Sequence, residues 1–405
     1  MAGYEAERIA DCESRAEIMD SLARRQVAVL QDWRLLADLP LNVVVEATGS
    51  PDAAAAIAEL SVASGYHVAM VTKEAEGVVG PILARRARAA GVVHTLVDGD
   101  QPSLLVALVR RARRLGLPVI AAGKSTESDY VFAPATGTVS AWGRTVSAPE
   151  YGMAFDAQAG LIDALSGRVL PDLACATVPD LCEMAIVANH MEGLQPDCPG
   201  LHAPVCRTTE LPSLFRPRTV GGLLERPGAI DVFVCLRRPD ELSFAGGVFV
   251  VVEMPDPTTG RLLASKGIPG TPEGGHLLLH NPVHLLGVEA AASVLSAARD
   301  GVSTGGDAPE QRFDLLARAS ATLAAGTVLA LGARHTIAGM VPAIHPAQAV
   351  HNGAPVPYYL AEGRTLARDV PAGATLSLDD LLPAPDSTLM RLRREQDVLQ
   401  FGSLS

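Results

Sequence analysis

Between Asn42 and Gly123 the chain alternates between two patterns that between them leave few folds open. "NVVVEATG" is a continuous apolar run ending in a Thr-Gly turn, of the kind a strand shows when both faces of a parallel sheet are covered. "SPDAAAAIAELSVASG" opens with Ser50-Pro51-Asp52 and closes on Gly65, the start and stop signals of a helix. The strand "YHVAMVT", the helix "GPILARRARAAG", the strand "VVHTLVDGD", the helix "PSLLVALVRRARRLG" and the strand "LPVIAAG" follow in turn. Such alternation predicts βαβ units with right-handed crossovers and an open parallel sheet, an α/β fold.

The flanking regions read differently. Residues 1–41 are mostly helical in pattern, with a short strand near Val27–Leu30. From about Thr126 to Gly275, Pro and Gly punctuate short strands such as "DVFVCL" and "GGVFVVVEM", with one helix at "DLCEMAIVANHM". This predicts an α+β middle domain over 126–300, whose last helix, "HLLGVEAAASVLSAARDG", returns to the first domain of residues 1–125. A Gly/Asp/Pro linker at 301–313 leads into residues 314–405. There "TLAAGTVLAL" and "DVPAGATLSL" share an apolar-x-Ala-Gly-x-x-Leu frame, as two similar turns of a small β-rich module would.

Composition excludes several function classes. A net charge of −12 argues against a broad nucleic-acid face and against a polybasic membrane contact. The sequence shows no charged-then-apolar leader and no long uncharged run, so a cytoplasmic protein is expected. Six dispersed cysteines (Cys12, Cys175, Cys182, Cys198, Cys206, Cys235) without a C-x-x-C pair read as reduced thiols. Of 33 basic residues, only Lys73, Lys124 and Lys266 are lysines. Lysine is a compact charge that can change protonation state, as arginine cannot, so Lys73 and Lys124 are candidates for chemistry.

In an open parallel sheet, ligands bind beyond the carboxyl ends of the strands. Four polar turns fall there: Glu46-Ala47-Thr48-Gly49, Thr72-Lys73, Asp98-Gly99-Asp100 and Gly123-Lys124-Ser125-Thr126. On "CEMAIVAN", Glu183 and Asn189 could face a pocket as base and hydrogen-bond donor, or form a buried polar pair between domains. On "HNPVHLLGVE", the i,i+4 spacing of His280 and His284, with Glu289 further on, would suit zinc in a helix. Pro282 spoils that helix, and no metal is expected; a substrate-orienting role for His284 is preferred.

The stretch from "VVVEATGSPDAAAAIAELSVASGYHVAMVTK" to "DGDQPSLLVAL" resembles the homoserine dehydrogenase-like NAD(P)-binding domain in the order and spacing of its E-x-T-G, G-x-H-V and lysine motifs. The match spans about Val27 to Leu115. "PVPYYLAEGRTLARDVPAGATLSLDDL" resembles a SAF domain. The combination, with "EMAIVANHMEG" and "HNPVHLLGVEA", is similar to the SAF-bearing deoxyxylulose-phosphate reductoisomerase-like oxidoreductases.

The resemblance implies an NAD or NADP cofactor bordered by Glu46, Ala47, Thr48, Gly49, Thr72 and Lys73. It implies Lys73 beside the reacting carbon as proton donor or polarising cation, with Lys124, Glu183 and His284 as further catalytic candidates. Asp98, Ser125, Thr126, Asn189 and Glu289 are substrate candidates, with Lys124, Ser125 and Thr126 anchoring an anionic group. The substrate would be a small hydroxy or keto compound of sugar, sugar-acid or sugar-phosphate type, and the middle domain would carry homodimerisation.

Two departures stand out. Members that make the isoprenoid precursor have a D-G-T-K-like segment before the E-M-A stretch, where this chain has Ala176-Thr177-Val178-Pro179. No glycine occurs between Gly3 and Gly49, so the Rossmann-like sheet is expected to lack its first strand and phosphate loop. Losing three charge-assisted hydrogen bonds removes about 4–9 kcal/mol, against about 8 kcal/mol for micromolar binding. Either a natural start upstream supplies the loop, or the chain has lost the redox reaction and acts as a binding protein. A metal-dependent sugar-acid lyase or dehydratase is a further alternative.

Overall fold

The computed structural model describes residues 3–152, 170, 172–173, 176–306, 308–383 and 387–402. Cys175 lies outside them; the other five cysteines carry free thiols. As expected, the fold is α/β with parallel sheets, but the strands are distributed differently from the sequence reading.

The N-terminal residues are not mainly helical. β1 (Ile9–Cys12), α1 (Arg15–Ala23) and β2 (Val27–Leu30) form a βαβ unit with the two strands parallel. The strand was missed because a run as short as "IADC" carries almost no period. This unit has a small core of its own around Cys12, Ile18 and Leu39. A separate parallel sheet contains β3 (Val43–Glu46), β4 (His67–Met70) and β5 (His94–Leu96) in that order. Between its strands run α2 (Pro51–Ala63) and α3 (Lys73–Ala89), and α4 (Gln101–Arg114) follows β5.

The next strand corrects the boundary at residue 125. β6 (Val119–Ser125) does not join β3–β5. It lies inside a second sheet, parallel to β12 (Ala229–Arg237) and antiparallel to β13 (Val248–Glu253). β7 (Tyr130–Ala133), β8 (Thr138–Ala141) and β9 (Arg144–Ser147) form a meander at one side of this sheet. β14 (His276–Asn281) closes the other, while β10 (Gln195–Pro196) and β11 (Val205–Cys206) pair with β12. Apolar residues cover β6 on both faces, so sequence alone could not tell which sheet it joins. The expected helix is α5 (Val178–His190), packed against α3, α4 and β12.

α6 (Pro257–Ser265) precedes β14, and α7 (Leu286–Leu295) continues into a wider turn to Asp300. The α7 region does return to the first sheet: the Ser293 hydroxyl accepts from Asp98 N at 2.8 Å, and Thr304 N and Gly305 N each donate to Thr95 Oγ1 at 3.1 Å.

In the C-terminal part, β15 (Phe313–Ala319) pairs antiparallel with β16 (Met340–Pro346). The two echoed segments bond to each other, Leu323 N to Val370 O at 2.9 Å and Val370 N to Leu323 O at 2.8 Å. Their Ala-Gly turns match in conformation, with φ of +82° at Gly326 and +84° at Gly373, a region where glycine alone is unstrained. The last helix, α8 (Thr388–Phe401), packs back on α2 and α3.

α3 contains Pro81, which has no N–H and leaves the Gly77 carbonyl without its helical donor. Gln311 Nε2 supplies one at 2.9 Å from the linker. The Gln396 amide from α8 bridges the next rung, accepting from Ile82 N at 3.0 Å and donating to Val78 O at 3.1 Å. Deeper in α3, Glu76 lies 2.8 Å from His94 of β5 and 3.0 Å from His190 of α5, all three side chains buried. Burial opposes charge on Glu76, but the two histidines hold its carboxyl below the usual range. A Cβ at position 80 would fall 2.2 Å from that carboxylate, which explains Gly80 within the helix.

Arg393 of α8 is fully buried. It makes two parallel bonds to Asp314 of β15, at 2.6 and 2.7 Å, and one to Asp397 at 2.7 Å. Removing one partner of a buried pair leaves uncompensated charge and costs about 3–5 kcal/mol. Arg393→Ala is therefore expected to lower the urea midpoint strongly, checked by circular dichroism. A midpoint within error of the parent would remove this pair from the stability of the C-terminal junction.

Candidate functional site

Three elements converge on one carboxylate. Lys73 is the first residue of α3, at the carboxyl end of β4. Lys124 is near the end of β6, in register with Val232 of β12 and Val248 of β13. Glu183 lies on the face of α5 that crosses between them. Its Oε1 pairs with Lys73 Nζ, and its Oε2 lies 2.5 Å from Lys124 Nζ. Asp180, three residues earlier and so on the same helix face, reaches Lys124 at 2.9 Å. Its other oxygen caps α5, accepting from Thr177 N at 2.7 Å and Thr177 Oγ1 at 2.6 Å. Glu127 lies 3.0 Å from Lys124, and Asp100 3.3 Å from Lys73.

The cluster thus sets two ammoniums against four carboxylates. Burial disfavours the charge on Lys73, but Glu183 and then Asp100 outweigh it and hold the ammonium well above the ordinary lysine range. Lys124 behaves likewise, with Glu183, Asp180 and Glu127 overcoming complete burial. Burial pushes Glu183 up, yet Lys124 and Lys73 bring it below its usual value. Burial leaves Asp100 raised despite Lys73, and Glu74 raised despite His335. Glu127 is brought down to about 2, its burial offset by His284 and Lys124.

The sequence-derived candidates divide sharply. Lys73, Lys124 and Glu183 come together, and His284 joins them through Glu127 at 3.6 Å, on a loop rather than a helix. His280 is on β14, so the helical zinc spacing with His284 is not realised.

Lys124, Ser125 and Thr126, expected to anchor an anionic group, are enclosed by the protein. Lys124 has no exposed surface and three carboxylates already on it. Ser125 and Thr126 are buried with backbone N–H groups bonded to Gly247 O and Phe233 O.

Asp98 does not face the cluster. It accepts from Ser103 Oγ at 2.5 Å, and Asp100 takes the place beside Lys73. Asn189 fixes the linker, accepting from Arg312 N and Phe313 N at 2.9 Å each and donating to Phe313 O at 3.0 Å. Glu289 caps its own helix, accepting from Leu285 N at 3.0 Å.

Asp100 was read only as part of its turn, and Asp180 and Glu127 were missed. The i,i+3 spacing of Asp180 and Glu183, and of Lys124 and Glu127, was the signal that could have found them. Glu74 and His335, 2.9 Å apart, had no such signal, since 261 positions separate them (335 minus 74).

The turn after β3 presents the cofactor candidates. Glu46 is buried and accepts from Thr48 N at 2.8 Å and Thr48 Oγ1 at 2.6 Å. Gly49 has φ of +69° and donates to Thr72 Oγ1 at 3.0 Å, and Ala47 is exposed. This turn, next to Lys73, fits the approach of a flat ring and its ribose. The pyrophosphate half of a dinucleotide does not fit the N-terminus of α1: the Glu17 carboxylate already accepts from Glu13 N at 2.7 Å and Ser14 N at 3.2 Å. Negative charge there repels phosphate. Carboxylate oxygens of Glu127, Asp180 and Glu183 all lie within 4.8 Å of one another, as metal ligands do, with the Lys124 ammonium among them. No helix of the described residues is long and apolar enough to cross a membrane.

Comparison with known proteins adds one assignment. Residues 99–290 match the family model described as oxidoreductase DRL, catalytic domain. No curated protein matches the chain. Among solved structures, an oxidoreductase from Bacillus cereus aligns at 11% identity over 74% of this chain and 84% of its own, with a TM-score of 0.30. The oxidoreductase yvaA from Bacillus subtilis aligns at 12% identity over 75% and 84%, with a TM-score of 0.29. A DOX-P reductoisomerase in complex with NADPH, fosmidomycin and magnesium aligns at 8% identity over 46% and 43%, with a TM-score of 0.21. At such TM-scores these likenesses carry nothing further. The matched segment holds Asp100, Lys124, Glu127, Asp180, Glu183 and His284, so the carboxylate-ammonium cluster lies largely within the stretch that is similar to that oxidoreductase catalytic domain.

Proposed function

We propose that this chain is an NAD- or NADP-dependent oxidoreductase acting on a small polar hydroxy or keto substrate of sugar, sugar-acid or sugar-phosphate type. The observation that carries this reading is the position of Lys73: a protonated, mostly buried ammonium beside the Thr48–Gly49 turn, with 21% of its side chain still exposed. The C-terminal pair of bonded Ala-Gly turns supports reading that module as SAF-like.

An ammonium has three N–H donors. Glu183 and Asp100 occupy two on Lys73, which leaves one for a substrate oxygen. A nicotinamide held at the Thr48–Gly49 turn would supply the hydride chemistry. In the reducing direction negative charge grows on the carbonyl oxygen, where the third N–H polarises the bond and then delivers its proton. Asp100 and Glu183 fix the direction of that donor by holding the other two. Lys124 sets the position and charge of Glu183 without reaching substrate. Packing by α5 and the second sheet keeps water from Glu183, so its charge acts at short range in a poorly screened site.

Loss of a positioned general acid costs about 10²–10⁴-fold in turnover. Lys73→Ala should show that loss across sugar, sugar-acid and sugar-phosphate substrates, followed by reduced-nicotinamide absorbance. Because Lys73 is held above its ordinary value, it stays protonated through neutral and mildly alkaline pH. Reduction by the parent should therefore show no alkaline loss attributable to Lys73 up to about pH 9. A pKa between 7 and 9 that disappears in Lys73→Ala, or full turnover by that variant, removes Lys73 as the acid.

A second reading has its own support in the convergent Glu127, Asp180 and Glu183 oxygens. With Lys124 displaced, these ligands suit a hard divalent cation and a lyase or dehydratase reaction. Assays with and without chelator separate the two. Nicotinamide-dependent turnover that survives chelation supports the first, whereas metal-dependent turnover without nicotinamide supports the second.

A further inference from the structure

Lys124 cannot anchor an anionic substrate group, so another cation should serve if the substrate is charged. One stands at the edge of the site. The C-terminal part reaches over α3 and α5 with the turn Ala333–His335, and here His335 lies 2.9 Å from Glu74, the residue after Lys73. A Cβ on Gly49 would stand 3.5 Å from His335 Cε1, so the same turn also borders the cofactor-side loop. Its neighbour Arg334 places its guanidinium 3.9 Å from the centre of the Trp142 ring, at the β8–β9 turn.

Two independent features mark this contact. Seven described residues other than glycine have left-handed backbone, and Trp142 (φ 54°), Arg334 (φ 55°) and His335 (φ 53°) are three of them. Bulky residues adopt that region only when their surroundings impose it, and such strain concentrates at functional sites. The polar groups are also unspent. Arg334 forms no ion pair with the described residues, and Trp142 Nε1 is buried without a hydrogen-bond partner. Arg334 is exposed, so its charge is open to a ligand, whereas the buried cations Lys73, Lys124 and Arg393 are taken up by carboxylates.

Trp142 and Glu127 both line a cavity of about 380 Å³, and Glu127 also meets Lys124, so Trp142 links Arg334 to the edge of the cluster. Ser128, Ser140 and Ser243 supply hydroxyls to its wall. Arg237, the cation in that lining, is tied to Asp129 at 2.6 Å and is not free to bind ligand. A planar guanidinium presenting paired N–H donors matches phosphate and carboxylate oxygens.

We propose that Arg334, with Trp142, is the anion-recognition element of the substrate site, gripping the phosphate or carboxylate of a small hydroxylated substrate whose reacting carbon faces Lys73. This rests on the proposed reaction for the identity of the substrate, but not for anion binding itself. The C-terminal module thereby contributes a specificity-determining residue to the catalytic domain.

Trp142 reports directly, because Trp33 is the chain's only other tryptophan. In a Trp33→Phe chain, inorganic phosphate and glycolate are titrated at constant ionic strength against chloride. Trp142 emission should change saturably with at least one oxyanion and not with chloride. Arg334→Ala should weaken that response about tenfold or more, and Arg334→Lys should restore it incompletely, the value expected for a charge-assisted hydrogen bond. Calorimetric titration of the unmodified chain and of Arg334→Ala gives the same comparison without the tryptophan change. An unaltered affinity in Arg334→Ala, or no saturable binding of either oxyanion by calorimetry, overturns the proposal. If nicotinamide turnover is absent while Arg334-dependent anion binding persists, the redox reading fails and the anion site stands.

Discussion

Glu183 is the point through which the two halves of the molecule are electrically joined. One oxygen holds the ammonium that begins α3, from the first parallel sheet, and the other holds the ammonium at the end of β6, in the second. Neither lysine could be buried alone, since the desolvation cost of a single charge exceeds what packing returns. The carboxylate could not be buried alone either. The three groups are stable only as a set, so the relative position of the sheets and the geometry of the site are one constraint.

That constraint also shapes the chemistry. With carboxylates in excess, both ammoniums are held charged. The remaining acids are separated by environment: Glu127 is held low by His284 and Lys124, while Glu74 and Asp100 remain raised by burial. Environments that drive like groups apart in proton affinity allow one site to contain both acid and base. The Glu76 bridge to His94 and His190 does similar mechanical work on α3, farther from the solvent-facing end of Lys73.

Much of the fold was legible where the pattern was long. The βα alternation from Asn42 onward, the helix at "DLCEMAIVANHM" and the paired Ala-Gly turns all follow from periodicity and turn chemistry. What failed was partner choice. β6 reads as a buried strand in either sheet, and only the packing of α4 and α5 decides that it lies beside β12 and β13. The rarity of lysine led to Lys73 and Lys124, and their companions Asp180 and Glu127 were recoverable from helical and loop spacing. Asp98, Asn189 and Glu289 hold a turn, the linker and a helix start, since polar side chains near turns serve caps and linkers as readily as ligands. Glu74 with His335, and Trp142 with Arg334, join segments remote in sequence, and no local pattern encodes such meetings.

The proline in α3 has a bearing on how the chain is made. The helix that begins with Lys73 receives two of its repairing donors from Gln311 and Gln396, which lie 234 and 318 positions beyond the carbonyls they meet. A ribosome emits the first sheet long before either glutamine leaves the exit tunnel. Until then the segment around Gly77 and Val78 has carbonyls that only water can satisfy. The segment around Pro81 thus waits, solvated and incomplete, until the stretch that carries Gln396 has emerged to seal it.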